Sequence, residues 1–216
     1  AVEWDFFTKE GTEKVLYWHW SPDKGWAMNM PIQGWNEALI VYVLAASSPT
    51  HPIGREVYAE GWARGGAMRN GKSIYDTVLP LGEDYGGPLF WAHYSFLGLN
   101  PRGLSDAYAD YWEQVCNHTR INYAYCVDNP KGYAGYGADC WGLTASDIPD
   151  GYTASSPTND RGVIAPTAAL SSMPYTPDES MAALRFFYYK LGDKLWSDYG
   201  FIDAFDLTTG WFDRGM

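Results

Sequence analysis

Met181, Leu184, Phe187, Tyr188, Leu191 and Leu195 recur at three- and four-residue steps, the spacing that gathers side chains on one face of an α-helix. Ahead of them, Thr176-Pro177-Asp178-Glu179 offers an N-cap, a proline at the first helical position and the glutamate of a capping box, and Gly200 ends the pattern. The spacing predicts a helix from Pro177 to about Asp198 with an aromatic inner face. A second long helix is predicted after Ser105, with Tyr108, Tyr111, Trp112, Val115 and Cys116 on one side. Shorter helices are expected over Glu37 to Ala46, Ile53 to Ala63 after Pro52, Leu89 to Leu97 after Pro88, and Pro166 to Ser172. Six helices result, which makes the chain all-α in class.

The connections between them are long and rich in glycine and aromatics: Trp18 to Trp35, Tyr123 to Tyr152, and Phe201 to Trp211. Such stretches inside a compact domain are usually functional. One hairpin is expected over Gly66 to Val78, turning at Asn70-Gly71 and followed by the β-prone run Lys72 to Val78. The same residues, Gly66 to Ser73, fit the phosphate-loop pattern G-x-x-x-x-G-K-[ST]. A phosphate loop needs a strand before it and a helix after it. Here a charged helical segment precedes and a strand-like one follows, so nucleotide binding is rejected.

Composition narrows the classes further. The formal charge is −11 with a pI near 4.6, the wrong sign for tracking phosphates, so neither a nucleic acid nor an anionic membrane surface is expected as partner. The longest uncharged apolar run, Ala38 to Ala46, is far short of the roughly 18 to 20 residues that span a bilayer. Hydrophobic residues at 46% suit a globular chain with a sizeable core, read as one region over residues 1–216. The chain opens at Ala1 without an initiator Met or a secretion signal, so it is expected to be processed or cut from something longer.

Cys116, Cys126 and Cys140 read as small buried side chains first and as one disulfide second, which leaves the redox compartment open. His19, His51, His93 and His118 are scattered, with no H-E-x-x-H and no cysteine pair at ligand spacing, and read as locally hydrogen-bonded. Asp147, Asp150 and Asp160 border a loop, though not at the spacing of a calcium-binding helix-loop-helix. Neither a metal nor any other cofactor is expected. No G-x-S-x-G elbow occurs.

Carboxylates among aromatics remain. Glu37 is the only acid between Asp23 and Arg55, set in an apolar stretch. Such a setting raises a carboxyl pKa and keeps it protonated for general acid work; equally, an acid in a first helical turn is favoured by the helix dipole. Asp203 lies between Phe201 and Phe205 past the long helix, where it either serves chemistry or holds a turn. Asp139 lies in the glycine- and aromatic-rich segment Tyr136 to Thr144. Rings beside carboxylates line sugar sites, because a ring stacks on the apolar face of a pyranose while polar groups take its hydroxyls. Trp18, His19, Trp20, Trp26, Trp35 and Trp141 fit that description or are core.

Leu16-Tyr17-Trp18-His19-Trp20-Ser21-Pro22, Pro31 to Ala38, Ser48 to Ile53, His93-Tyr94-Ser95-Phe96-Leu97-Gly98, Gly142 to Asp147 and Gly200-Phe201-Ile202-Asp203-Ala204-Phe205 together resemble the bacterial glucoamylase-like family. That family includes endo-β-1,2-glucanases and is related to the central domain of cyclic β-1,2-glucan synthases. The resemblance implies an (α/α)6 toroid, with the cleft across one end and two carboxylates working by inversion. Twelve helices with their loops need on the order of 300 residues or more. Six are legible, so the chain resembles the C-terminal part of such a domain, its partner being the N-terminal part.

The resemblance also implies a glycoside hydrolase acting on a glucan, most readily β-1,2-glucan, in the periplasm or outside the cell. Glu37 would protonate the glycosidic oxygen. Asp203, Asp139 or a carboxylate beyond the chain would activate water. Trp18, His19, Trp20, Trp35 and Trp141 would form subsites. Glu37, Asp139, Asp203 and the Trp18 to Trp20 segment are then expected to line one concavity. The rival readings are a carbohydrate-binding module without chemistry and a piece that merely packs against the rest of the domain.

Overall fold

A computed structural model describes residues 2–213, of which helices are the main element at 37% of the chain. Helices α1 (Leu39–Ala46), α2 (Phe90–His93), α3 (Tyr111–Asp128), α4 (Pro166–Ser171), α5 (Pro177–Tyr189) and α6 (Gly192–Leu195) fall within or overlap the six expected segments or their ends. Val57–Trp62 winds as a π-helix and Tyr94–Leu97 as a 3-10 turn continuing α2. The predicted helix from Pro177 to Asp198 breaks at Lys190. Gly192 weakens the helix there, and the short α6 restarts so that Leu195 is still buried. Its capping box does not form: the Thr176 hydroxyl bonds back to the Ser172 carbonyl instead.

The single expected hairpin becomes four two-stranded antiparallel ribbons among the described residues. They are β1 (Ser73–Ile74) with β2 (Thr77–Val78), β3 (Ala145–Ile148) with β4 (Gly151–Ala154), β5 (Trp196–Ser197) with β6 (Gly200–Phe201), and β7 (Phe205–Asp206) with β8 (Trp211–Phe212). The aromatic connections thus double back on themselves rather than wander. In the first ribbon the turn is at Tyr75-Asp76, both left-handed at φ 50 and 58, not at Asn70-Gly71. Asn70-Gly71 sits in the arm, its amides donating to the Pro80 and Leu79 carbonyls, while the Asn70 side chain donates to the Gly82 and Glu83 carbonyls. Lys72 starts a ribbon rather than a helix, so no phosphate-loop geometry is present.

Helix α3 organises the molecule. Asp110 caps it by accepting the Glu113 amide, and left-handed Asn129 ends it. Its apolar residues serve two cores in turn. Tyr111 and Val115 join Leu16, Trp35, Leu39, Tyr42 and Trp62, whereas Tyr125 and Cys126 join Leu89, Trp141, Phe187 and Phe205. Between them runs a buried polar seam at four-residue steps, Gln114, His118 and Asn122, which share one helix face. Gln114 exchanges two hydrogen bonds with the backbone of Leu81 and Asn122 two with that of Leu143, while His118 bonds the Gly87 carbonyl. Each bond satisfies a buried loop group that would otherwise cost about 1–3 kcal/mol. Leu143 also accepts the Leu89 amide, and the Thr144 hydroxyl accepts that of Phe90, which fixes the start of α2 beside β3.

All three cysteines are buried and unpaired, with the Cys140 thiol pushed up to about 12 by burial. No helix among the described residues is long and apolar enough to cross a membrane.

Candidate active site

A concavity of about 630 Å³ opens between α2 with its continuing turn, the β3–β4 ribbon, α4 and the chain leaving β6. Phe90, His93, Tyr94 and Leu97 form one wall, Thr144, Ala145 and Tyr152 a second, and Thr167, Ala168, Leu170 and Ser171 a third; Phe201, Ile202 and Asp203 complete it. Three of the six sequence segments that carry the family resemblance, His93 to Gly98, Gly142 to Asp147 and Gly200 to Phe205, meet here although they are distant in the chain.

Asp203 is the carboxylate of this cleft. Its backbone is clamped on both sides: the Ile202 amide donates to the Leu195 carbonyl at 2.8 Å, and Phe205 exchanges amide-to-carbonyl bonds with Ile164. Oδ2 accepts the Asp147 amide at 2.7 Å. Desolvation by the cleft walls raises its pKa; the Asp147 amide opposes this, and the charges of Asp147 and Asp213 reinforce it.

Glu37 precedes α1 and is half-buried, with burial raising its pKa and a backbone hydrogen bond opposing. It is absent from the residues lining the cleft but tied to the cleft's wall. The Ser95 hydroxyl, buried between cleft-lining Tyr94 and Leu97, donates to the Glu37 carbonyl at 2.5 Å and accepts the Ile40 amide at 3.0 Å. Ala38 at the start of α1 offers no side-chain cap, so Ser95 caps the helix from a distant element.

Trp35 anchors the other side of Glu37. It is only 4% exposed, stacks on Tyr111, and donates through Nε1 to His118 Nδ1 at 3.4 Å. With Nδ1 accepting, His118 carries its proton on Nε2 and donates to the Gly87 carbonyl. Burial lowers its pKa to about 4, so the ring is neutral. His93 is also neutral, pushed to about 3 by burial and then by His118; it bonds Ser171 and stacks on Tyr175. Neither histidine can donate a proton as imidazolium at neutral pH.

The remaining expected residues are dispersed. Trp141 is 0% exposed, donates to the Glu179 carbonyl and packs edge-on against Tyr123, so its ring, like that of Trp35, belongs to the core and offers no face to a substrate. Asp139 is exposed and outside the cleft lining, adding to the upward shifts of Tyr123 and Cys140. Trp18 is exposed beside a separate apolar groove with Trp4, Phe7, Ile32 and Val41; Trp20 meets Phe6 edge-on, and His19 between them is half-buried. The single concavity expected for all of these does not form: of them only Asp203 lines the cleft. Of the aromatics that do line it, Tyr94 and Phe201 lay inside the quoted segments without being singled out, and Tyr152, at 70% exposure, lay outside them at the end of an aromatic connection.

Among the described residues no three His, Cys, Asp or Glu side chains converge as metal ligands. The buried Asp160 is satisfied by the Tyr125 and Tyr136 hydroxyls and the Gly162 amide.

Residues 29–216 match the family described as putative glucoamylase. The chain is 61% identical to a putative glucoamylase from Bacteroides uniformis, with a TM-score of 0.95 over 98% of this chain and 52% of that one. It is 52% identical to an endo-β-1,2-glucanase from Chitinophaga pinensis, solved with sophorotriose and glucose, at a TM-score of 0.93 over 98% of this chain and 51% of that one. A curated relative, the exo β-1,2-glucooligosaccharide sophorohydrolase (non-reducing end) of Parabacteroides distasonis, is 45% identical over 97% of this chain and 32% of its own length. The chain therefore spans about half the length of these solved structures and a third of the curated relative.

Proposed function

The chain belongs to the glucoamylase-like family, and on that footing we propose that the protein it forms part of hydrolyses β-1,2-glucan by an inverting, two-carboxylate mechanism. One observation carries this: a carboxylate, Asp203, lines an aromatic cleft, and Ser95 in the same wall bonds the main-chain carbonyl of a second acid, Glu37. Glu37, its pKa raised by burial, gives its proton to the glycosidic oxygen. Asp203 takes a proton from water that attacks the anomeric carbon from the opposite face. Inversion needs room for that water, roughly 6.5–9.5 Å between the two carboxyl groups. Tyr94, Tyr152 and Phe201 supply faces for uncharged pyranoses. Asp139 has no part in this pair.

The six helices are read as one part of an (α/α)6 toroid whose remaining helices close the other side of the cleft. We propose a periplasmic or extracellular site of action. The test is to incubate the full-length protein with β-1,2-glucan and follow the new reducing ends by NMR. Initial release of the α-anomer is expected. The β-anomer would mean retention, and binding without hydrolysis would leave a carbohydrate-binding module.

A further inference from the structure

Beyond the cleft, the β5–β6 ribbon extends an aromatic row outward from Phe201, which packs on core Phe187, to Trp196, which belongs to neither core. Trp196 and Phe201 are directly opposed across this ribbon, and opposed residues of an antiparallel pair project from the same face. Phe201 lines the cleft, so Trp196 continues the same face outward. Its ring meets Phe201 edge-to-face at 5.0 Å and Tyr188 of α5 edge-to-face at 5.5 Å. Trp196 is nevertheless 54% exposed and Tyr188 nearly as much. The ribbon is braced at its tip, where the Ser197 hydroxyl donates to the Gly200 carbonyl and accepts the Tyr199 amide.

Rings that meet edge-to-face and are still about half exposed leave ring surface open to solvent. We propose that Trp196 and Tyr188 form an outer glucan subsite, continuous with the cleft through Phe201, that stacks on glucose units which a short oligosaccharide does not reach. This rests on the glucan-hydrolase reading given above. Continuity with the cleft and the ring geometry favour a sugar chain over a protein partner. Unstacking one ring is expected to weaken binding about three- to tenfold, in line with the ~0.5–1.5 kcal/mol of a single aromatic contact.

The test uses full-length protein carrying Glu37→Gln, with and without Trp196→Ala or Tyr188→Ala, titrated with long β-1,2-glucan and with sophorotriose. Each added substitution should weaken the long chain about three- to tenfold and leave the trisaccharide within twofold. With Glu37 left intact, Trp196→Ala alone should raise KM for the long chain and leave its kcat unchanged. Equal losses on both ligands, or none on either, would overturn the subsite. A fall in melting temperature without a change in glucan affinity would instead assign the row to contact with the rest of the domain. Failure of the parent protein to hydrolyse any β-1,2-glucan would sink the reading of the cleft, a result separable from the binding titration.

Discussion

The Ser95 hydroxyl donates to the Glu37 carbonyl at 2.5 Å across 58 positions of sequence. The same oxygen accepts the Ile40 amide, so one buried side chain sets both the start of α1 and the position of the proposed acid. In Ser95→Ala two buried backbone groups lose their partner. Loss of a cap costs about 1–2 kcal/mol, a few degrees in melting temperature for a chain of this size. Displacing Glu37 should also reduce kcat on β-1,2-glucan by roughly 10- to 100-fold, with a smaller loss on a nitrophenyl glucoside, where leaving-group protonation matters less. Thermal unfolding and the two rate measurements together check this. Equal losses on both substrates would leave Ser95 with a purely structural part.

Glu37→Gln in the full-length enzyme should all but abolish hydrolysis of natural glucan and leave binding within a few-fold. The amide keeps the shape and can hydrogen-bond, but it has no acidic proton to give, and general acid assistance is worth ~10² to 10⁴ in rate. The deficit should shrink on a nitrophenolate leaving group, which departs without a proton. Unchanged activity on both substrates would remove Glu37 from the mechanism.

The same substitution has a consequence for stability whose sign follows from burial. Glu37 and Asp203 both have folded-state pKa values raised above those of the unfolded chain. The folded state then binds more protons than the unfolded state between the two values, so stability falls as pH rises through that window and stays lowered above it. Glu37→Gln removes this penalty. It should melt at a higher temperature than the parent at pH 7, and the difference should vanish at a pH below the ordinary carboxyl range. A variant that melts lower at pH 7 would show that the carboxylate is stabilised by contacts that the amide cannot replace.

Much of this was legible in the sequence because it is local. Pro166 and Pro177 at helix starts and three- to four-residue spacing located α4 and α5, and the same spacing located α3 without its start, which lies at Tyr111 behind the cap Asp110 and leaves Tyr108 outside. Glu37 and Asp203 also stood out, since an acid in an apolar stretch signals an altered environment wherever the chain folds. What failed were inferences that depend on distant partners. Trp35 and Trp141 look like platform residues in their loops, yet they are buried because α3 and α5 pack over them. Asn70-Gly71 has the right residues for a turn, but the carbonyls of Gly82 and Glu83 hold Asn70 in a ribbon arm. Ser95 gave no local signal at all, being a cap for a helix more than fifty residues away.

Gly86 tests the seam along α3. Its φ is +93, and a Cβ there would lie 2.5 Å from Cδ2 and 2.6 Å from Nε2 of His118. That ring is already fixed, with Nδ1 accepting from Trp35 and Nε2 donating to Gly87, so it cannot retreat without breaking a buried bond. Gly86→Ala therefore combines backbone strain with overpacking, each about 1–3 kcal/mol, and should lower the melting temperature by ten degrees or so if the chain folds at all. Gly71 provides the control: its φ is +75, but nothing lies within 4 Å of its Cβ position. Gly71→Ala should cost only the left-handed backbone term of about 1–2 kcal/mol. Because Trp35 flanks Glu37, Gly86→Ala should also lower activity measured well below its melting temperature, whereas Gly71→Ala should not. Matching losses from the two variants would mean that the His118 ring is freer to move than its two hydrogen bonds allow.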